Sequence, residues 1–420
     1  MSTLSSRILG RMTSSVRVLV DRLRGGELTA VSRIEELAGA LAGLGPAEHG
    51  FSHLDLDAAH ETAERLDALP ADRRGRLHGL PLPAKDLHDV AGQPTTHGSA
   101  ARTRLAGRTD PFLAALLAEG VVIPGKSATC ELGLTIYTEP AGLPAPDNPL
   151  WPGRTPGGSS GGAAVLVARG LLPAAHASDG GGSIRVPAAA CGLVGFKPAG
   201  NSGLSVPGFV TRSLDDAAFL HGLTPVTGRR RIGVLTQPLF AGTPVDAVML
   251  EAVGAVADRL SDAGHDVVEI APYPRVEDTF AAFTALFTEK LAPLPDPVDG
   301  IVGWLRERGR AVTPERLAAA RHHAAGLPRL LEQYWGVDAL LSPMLSTDPP
   351  PVGHLAALEP AEDFLAQTRW SPWGSLFNMT RAAAVSIPWA VPGRPPVGVQ
   401  LGAIRLSDAA LLGLAREVHP

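Results

Sequence analysis

The chain is 420 residues long, 45% hydrophobic and 19% charged, with a formal net charge of −5. That balance excludes a disordered chain and argues against a nucleic-acid binder, which would carry a basic patch or a high isoelectric point. Two cysteines, Cys130 and Cys191, cannot build a disulfide framework and point to a cytoplasmic setting; no apolar run of about 18 residues is present to span a membrane.

Arg7, Arg11 and Arg17 are not followed by an apolar signal-peptide core, so the N-terminus reads as an amphipathic surface helix. Helices are expected over 14–24 and 29–43, stopped at Gly25-Gly26 and Gly45-Pro46. A third, exposed helix is expected over 56–68. The apolar run 80–84 predicts a buried strand that delivers Lys85, despite Pro81 and Pro83. A helix over 110–119 then feeds a strand over 121–123. Residues 138–158, dense in Pro and Gly, read as loop. A buried helix over 163–168 and a strand over 171–175 lead to a second glycine-rich loop. Past residue 225 strands are expected at 232–235, 265–270, 338–341, 383–387 and 397–401, with helices at 245–263 and 407–417. Ser407 is the N-cap of the last. Residues 276–334 read as helical, broken at 293–297. The alternation predicts an α/β fold, a large mixed β-sheet core covered by helices on both faces. The chain reads as one domain over 1–420, with 276–334 as a helical subregion over the active site.

Three segments carry the chemistry. Thr155-Pro-Gly-Gly-Ser-Ser-Gly-Gly162 holds Ser159 and Ser160, Asp179-Gly-Gly-Gly-Ser-Ile-Arg185 holds Ser183, and Leu80-Pro-Leu-Pro-Ala-Lys-Asp86 holds Lys85. A serine hydroxyl needs a base to become a nucleophile. The chain has only 4 Lys against 33 Arg, so a lysine in an apolar strand stands out. Burial disfavours its ammonium form, which lets it act as that base; a structural lysine paired with Asp86 is the other reading. Gly180, Gly181 and Gly182 before Ser183 suit a turn whose amides form an anion-binding concavity.

Competing chemistries fare worse. Gly158-Ser-Ser-Gly-Gly162 matches a G-x-S-x-G elbow centred on Ser160, but Pro144, Pro146, Pro149, Pro152 and Pro156 precede it where a strand is required. His176 is the best-placed histidine for a Ser–His arrangement, and a packed core histidine is the blander reading. Cys191 is a candidate nucleophile or a small buried filler. No P-loop, H-E-x-x-H or C-x-x-C motif is present, and His322-His323 point to different helix faces, so no metal or cofactor is expected.

Taken together the three segments resemble the amidase signature family. Pro124–Glu131, Asn148-Pro149, Cys191-Gly192, Lys197-Pro198, Arg212-Ser213, Asn378 and Pro396-Val-Gly-Val-Gln-Leu401 resemble its further landmarks, so the likeness runs from about residue 15 to 418. The resemblance implies hydrolysis of an amide C–N bond through an acyl-enzyme on Ser183. Ser159, on a cis Gly158–Ser159 peptide, would relay a proton to Lys85. Amides of Gly180, Gly181, Gly182 and Ser183 would form the oxyanion hole, with Ser160, Asp179 and Arg185 as supports. It implies a small-molecule amide as substrate, and a homodimer is an expectation drawn from the family. An ammonia-passing amidotransferase subunit and an inactive binding protein on the same scaffold are the alternatives. Two departures bear on specificity. Ser178-Asp179-Gly180 replaces the family's Thr-Asp-Thr, and Arg381 stands where a small glycine is common, making it the candidate contact for a substrate carboxylate.

Overall fold

An eight-stranded mixed sheet organises residues 15–419, the part of the chain that this computed structural model describes. The helix expected around Arg7 and Arg11 lies outside those residues. The sheet's strands, numbered in chain order, are β1 (Ala174–Asp179), β2 (Val194–Lys197), β3 (Val206–Thr211), β4 (Arg231–Val234), β5 (Asp266–Glu269), β6 (Ala339–Pro343), β7 (Ala384–Val391) and β8 (Arg394–Ala403). Their order across the sheet is β5-β4-β6-β8-β7-β2-β3-β1. The first three run parallel and every later pair is antiparallel.

Side chains alternate across each strand, and both faces are apolar. Ala339 and Leu341 of β6 join a cluster with Val397, Val399 and Leu401 of β8 and with the helices Leu214–Leu220, Ala247–Asp262 and Asp408–Val418. Leu340, between them, faces the other way and packs with the helices Val276–Thr288, Pro314–Trp335 and Leu376–Met379. Each such leucine contributes about 1.5–3 kcal/mol by leaving water. Helices therefore cover both faces, as the alternating pattern predicts. Ser407 Oγ accepts from Ala410 N at 3.3 Å and Ser213 Oγ from Asp216 N at 3.1 Å, caps worth about 1 kcal/mol each.

Three elements differ from expectation. The strand that delivers Lys85 is only Ala84–Lys85, because Pro81 and Pro83 have no N–H to give a ladder; Pro81 makes one isolated bridge to Val122. The strand expected at 121–123 lies instead at Gly125–Ser127, between Phe51–Leu54 and Ala84–Lys85 in a small three-stranded sheet. The strand expected at 171–175 is displaced to Ala174–Asp179. That shift matters, since it ends the strand on Asp179, at the mouth of the second glycine loop.

The short helix Arg185–Ala190 lies directly on β8. A Cβ at Gly398 would fall 2.3 Å from Ala189 Cβ and 2.9 Å from Ala189 Cα, so only glycine admits this approach. Gly398→Ala must push that helix, and with it the loop before it, off the sheet. We expect a loss of about 1–3 kcal/mol in chemical denaturation, together with reduced amide hydrolysis. An unchanged denaturation midpoint would contradict this packing.

Candidate active site

Lys85 is fully buried, and its ammonium nitrogen donates to Ser159 Oγ at 2.8 Å and to Ser178 O and Oγ, each at 3.2 Å. Its neighbour Asp86 points elsewhere. That carboxylate accepts from Ser52 Oγ at 2.8 Å and Thr96 N at 3.1 Å, bonds Thr96 Oγ1, and pairs with Lys126 Nζ at 3.4 Å. Pairing of Lys85 with Asp86 is thus set aside. Removal from water lowers the Lys85 pKa to about 8, with the charge of Asp179 among the groups opposing the shift.

The first glycine loop brings Ser159 to Lys85. The Gly158–Ser159 peptide is cis, as the family resemblance implies. A Cβ on Gly158 would lie 2.6 Å from the backbone carbonyl of Tyr137, so the loop can sit this deep only with glycine there. Thr138 Oγ1 clamps it by donating to Gly157 O at 2.8 Å and accepting from Gly161 N at 3.1 Å. Ser160 is fully buried and donates to Ser178 O at 3.4 Å; no strand enters its loop, and the elbow reading fails.

The second loop is built around Asp179. Its carboxylate accepts from Gly182 N at 2.7 Å, Ile184 N at 3.1 Å, Arg185 Nε at 2.9 Å, Arg185 Nη2 at 3.0 Å and Asn378 Nδ2 at 2.9 Å. Burial alone would raise its pKa, but the Arg185 guanidinium and these bonds outweigh it and hold the carboxyl well below the usual range. Arg185 also reaches Gln400 Oε1 at 2.6 Å and Asn378 Oδ1 at 2.8 Å. Gly182 turns the chain at φ +125°, a region L side chains rarely adopt. Its N–H is spent on Asp179, which corrects one expectation: of the four amides assigned to an oxyanion hole, Gly182's points to a carboxylate.

Ser159, Ser178, Gly180, Gly181 and Ser183 line one cavity of about 270 Å³. Lys85 reaches Ser159 by hydrogen bond, whereas none joins Ser159 to Ser183 among the described residues. One wall of the cavity is aromatic. Phe280, Phe283 and Phe287 lie along one face of the helix Val276–Thr288, their rings stacked at 6.2 Å and 5.5 Å, and Phe364 adjoins Phe280. The sequence reading missed this wall, although its i, i+3, i+7 spacing was the available signal. Ser178, Asn378 and Gln400 were likewise not assigned supporting roles.

Other candidates lie elsewhere. Arg381 is exposed and does not line this cavity, its carbonyl accepting from Gly200 N at 2.8 Å. His176 is a packed core histidine: Nδ1 accepts from Lys85 N at 3.1 Å and the ring sits edge-on to His88. Burial pushes the Cys191 thiol up, and that residue is also outside the cavity.

The chain is similar to known amidases. The family described as Amidase matches residues 34–224. AmiB2 of Mycobacterium tuberculosis (strain ATCC 25618 / H37Rv), named as an amidase, is 32% identical, covering 97% of this chain and 95% of its own. AmiC of the same strain, also named as an amidase, is 30% identical over 96% and 93%. A crystal structure of an amidase superposes with a TM-score of 0.81 at 27% identity, covering 96% of this chain and 98% of that one. A 6-aminohexanoate cyclic dimer hydrolase shares the fold, with a TM-score of 0.87 at 23% identity over 97% and 96%. Fold and relatives define an enzyme that hydrolyses amides. The chain belongs to the amidase signature family. Among the described residues no helix is long and apolar enough to cross a membrane.

Asp179→Asn should leave Arg185 buried without its counter-charge. We expect a loss of about 3–5 kcal/mol in urea denaturation; a loss under about 1 kcal/mol would contradict the assigned pairing. Because the folded-state pKa of Asp179 lies below its unfolded value, this stabilisation is fully present above about pH 4 and is lost as pH falls towards the folded value.

Proposed function

We propose that the protein hydrolyses a small-molecule amide to a carboxylic acid and ammonia or an amine, with Ser183 as nucleophile and Ser159 and Lys85 as its proton relay. The observation that carries this reading is the 2.8 Å hydrogen bond between the buried Lys85 Nζ and Ser159 Oγ, beside the cavity that Ser159 and Ser183 line. A lysine lowered to about 8 is neutral in a substantial fraction of molecules near pH 7–8, so it can accept a proton there.

Ser159 passes its hydroxyl proton to neutral Lys85 while taking the proton of Ser183. Ser183 Oγ then adds to the amide carbon. The oxyanion is met by the amides of Gly180, Gly181 and Ser183, each such donor being worth about 3–4 kcal/mol of barrier. The relay runs back to protonate the nitrogen, the C–N bond breaks, and an ester on Ser183 remains. Water, deprotonated through the same relay, attacks that ester; the acid leaves and Ser183 regains its proton. Asp179, Arg185 and Ser160 are positioning residues, the first two shaping the oxyanion loop and the third bonding Ser178 O beside Lys85. Residues 276–334, within a single domain, supply the wall against which the substrate lies.

Ser183→Ala should abolish amine release, by about 10³-fold or more, while the protein stays folded by circular dichroism. In the wild type kcat/KM should rise with pH through about 8 and level off above it, since the base works deprotonated. Lys85→Arg, which cannot lose its proton, should be inactive across that range. A Lys85 variant that keeps both rate and rising limb would shift the role to another base.

A further inference from the structure

The cavity wall carries a charge that the reaction does not use. Its lining side chains are apolar or neutral polar with one exception: Lys290, the only ionised group among the described lining residues. No carboxylate lines the cavity. Lys290 is exposed, and no hydrogen bond or ion pair joins it to another described residue. The chain's other three lysines, Lys85, Lys126 and Lys197, are buried and bonded to protein groups.

Its place relative to the reacting centre follows from the helix it terminates. Phe280, Phe283, Phe287 and Lys290 continue at spacings of three, four and three residues along one face, the last on the 3-10 turn Glu289–Leu291. Phe283 lies over the oxyanion loop, its ring 3.2 Å from where a Cβ on Gly181 would stand. Lys290 Nζ is 3.7 Å from the corresponding point on Gly203, next to the lining residues Leu204 and Ser205. At 1.5 Å per helical residue, Lys290 is rooted about 10 Å along the wall from Phe283. Between them runs an aromatic surface.

We propose that the substrate's acyl arm is apolar along its length and ends in a carboxylate, which Lys290 binds. This rests on the amidase reading above and names its substrate class. An unpaired ammonium at the edge of an aromatic wall has water as its only partner. An anion held there by the apolar arm gains a charge-assisted hydrogen bond. A cationic arm meets like charge, and a neutral arm gains neither.

Three anilides of equal length separate these cases: the monoanilide of suberic acid (anionic), octananilide (neutral) and 8-aminooctananilide (cationic). Binding is measured by calorimetry on Ser183→Ala, which holds the amide without turnover, and on Ser183→Ala with Lys290→Glu. We expect the anionic anilide to bind about 5- to 10-fold tighter than the neutral one and the cationic one weakest, the order reversing with Lys290→Glu and the spread narrowing in high salt. No preference for the anion, the same order after Lys290→Glu, or no binding of any of the three would overturn the proposal. Aniline release by the wild type is read separately. Failure there with the binding order intact sinks the hydrolytic reading and leaves the carboxylate site standing.

Discussion

Asp179 and Arg185 are both removed wholly from water, a state that is unfavourable unless every bonding position is filled. The chain fills them from four directions. Two backbone amides of the glycine loop turn inward to Asp179, Asn378 bridges both partners, and Gln400 of β8 takes the remaining guanidinium arm. Gln400 is in turn bonded by its amide nitrogen to Ser342 of β6, so the pair is anchored in the middle of the sheet. The loop between the two charges has no freedom to move independently of them. Gly180 and Gly181 are therefore held at the cavity by an interaction on its far side, and the Ser183 backbone is fixed within the same turn.

Burial treats the chain's lysines differently according to what they face. Lys126 meets the carboxylate of Asp86 and stays paired. Lys197, lowered to about 7 first by burial and then by the nearby Arg185, donates only to the carbonyls of Pro198 and Ala382. Lys85 faces hydroxyls and a carbonyl. Of the three, only Lys85 bonds a hydroxyl that borders the cavity, and that contact distinguishes a candidate base from two structural lysines. Lys85 ends its two-residue strand and Asp86 follows it, and the two adjacent side chains enter separate environments.

Much of this was legible in the sequence where local chemistry decides the outcome. The helices at 29–43, 56–68, 245–263 and 407–417 announce themselves through caps and periodicity, and each is found within two residues of its expected ends. The lysine and both serine loops stood out because a glycine run, or a lysine in an apolar segment, is rare where no chemistry demands it. Strands were harder. At 80–84, apolar character suggested a ladder that Pro81 and Pro83 cannot complete, and at 171–175 only the last two residues belong to the strand, the first three forming the bend before it. The aromatic wall was hidden by its ordinariness, since Phe280, Phe283 and Phe287 have the spacing of any helix that packs on a core. Arg381 drew attention for the opposite reason: a charged residue in place of a small one invites a functional reading, yet it does not line this cavity, and its φ of +58° lies in the region that favours glycine.

The wall and the floor of the cavity come from different stretches of chain. Serines, oxyanion loop and buried charges belong to loops and strands locked into the central sheet, whereas the facing aromatic rings belong mostly to one helix of 13 residues, Val276–Thr288. On the proposed mechanism, bond-breaking and substrate choice would rest on these separate stretches. Rewriting that single short segment would change what lies against the substrate while leaving the buried Asp179–Arg185 pair in the sheet untouched.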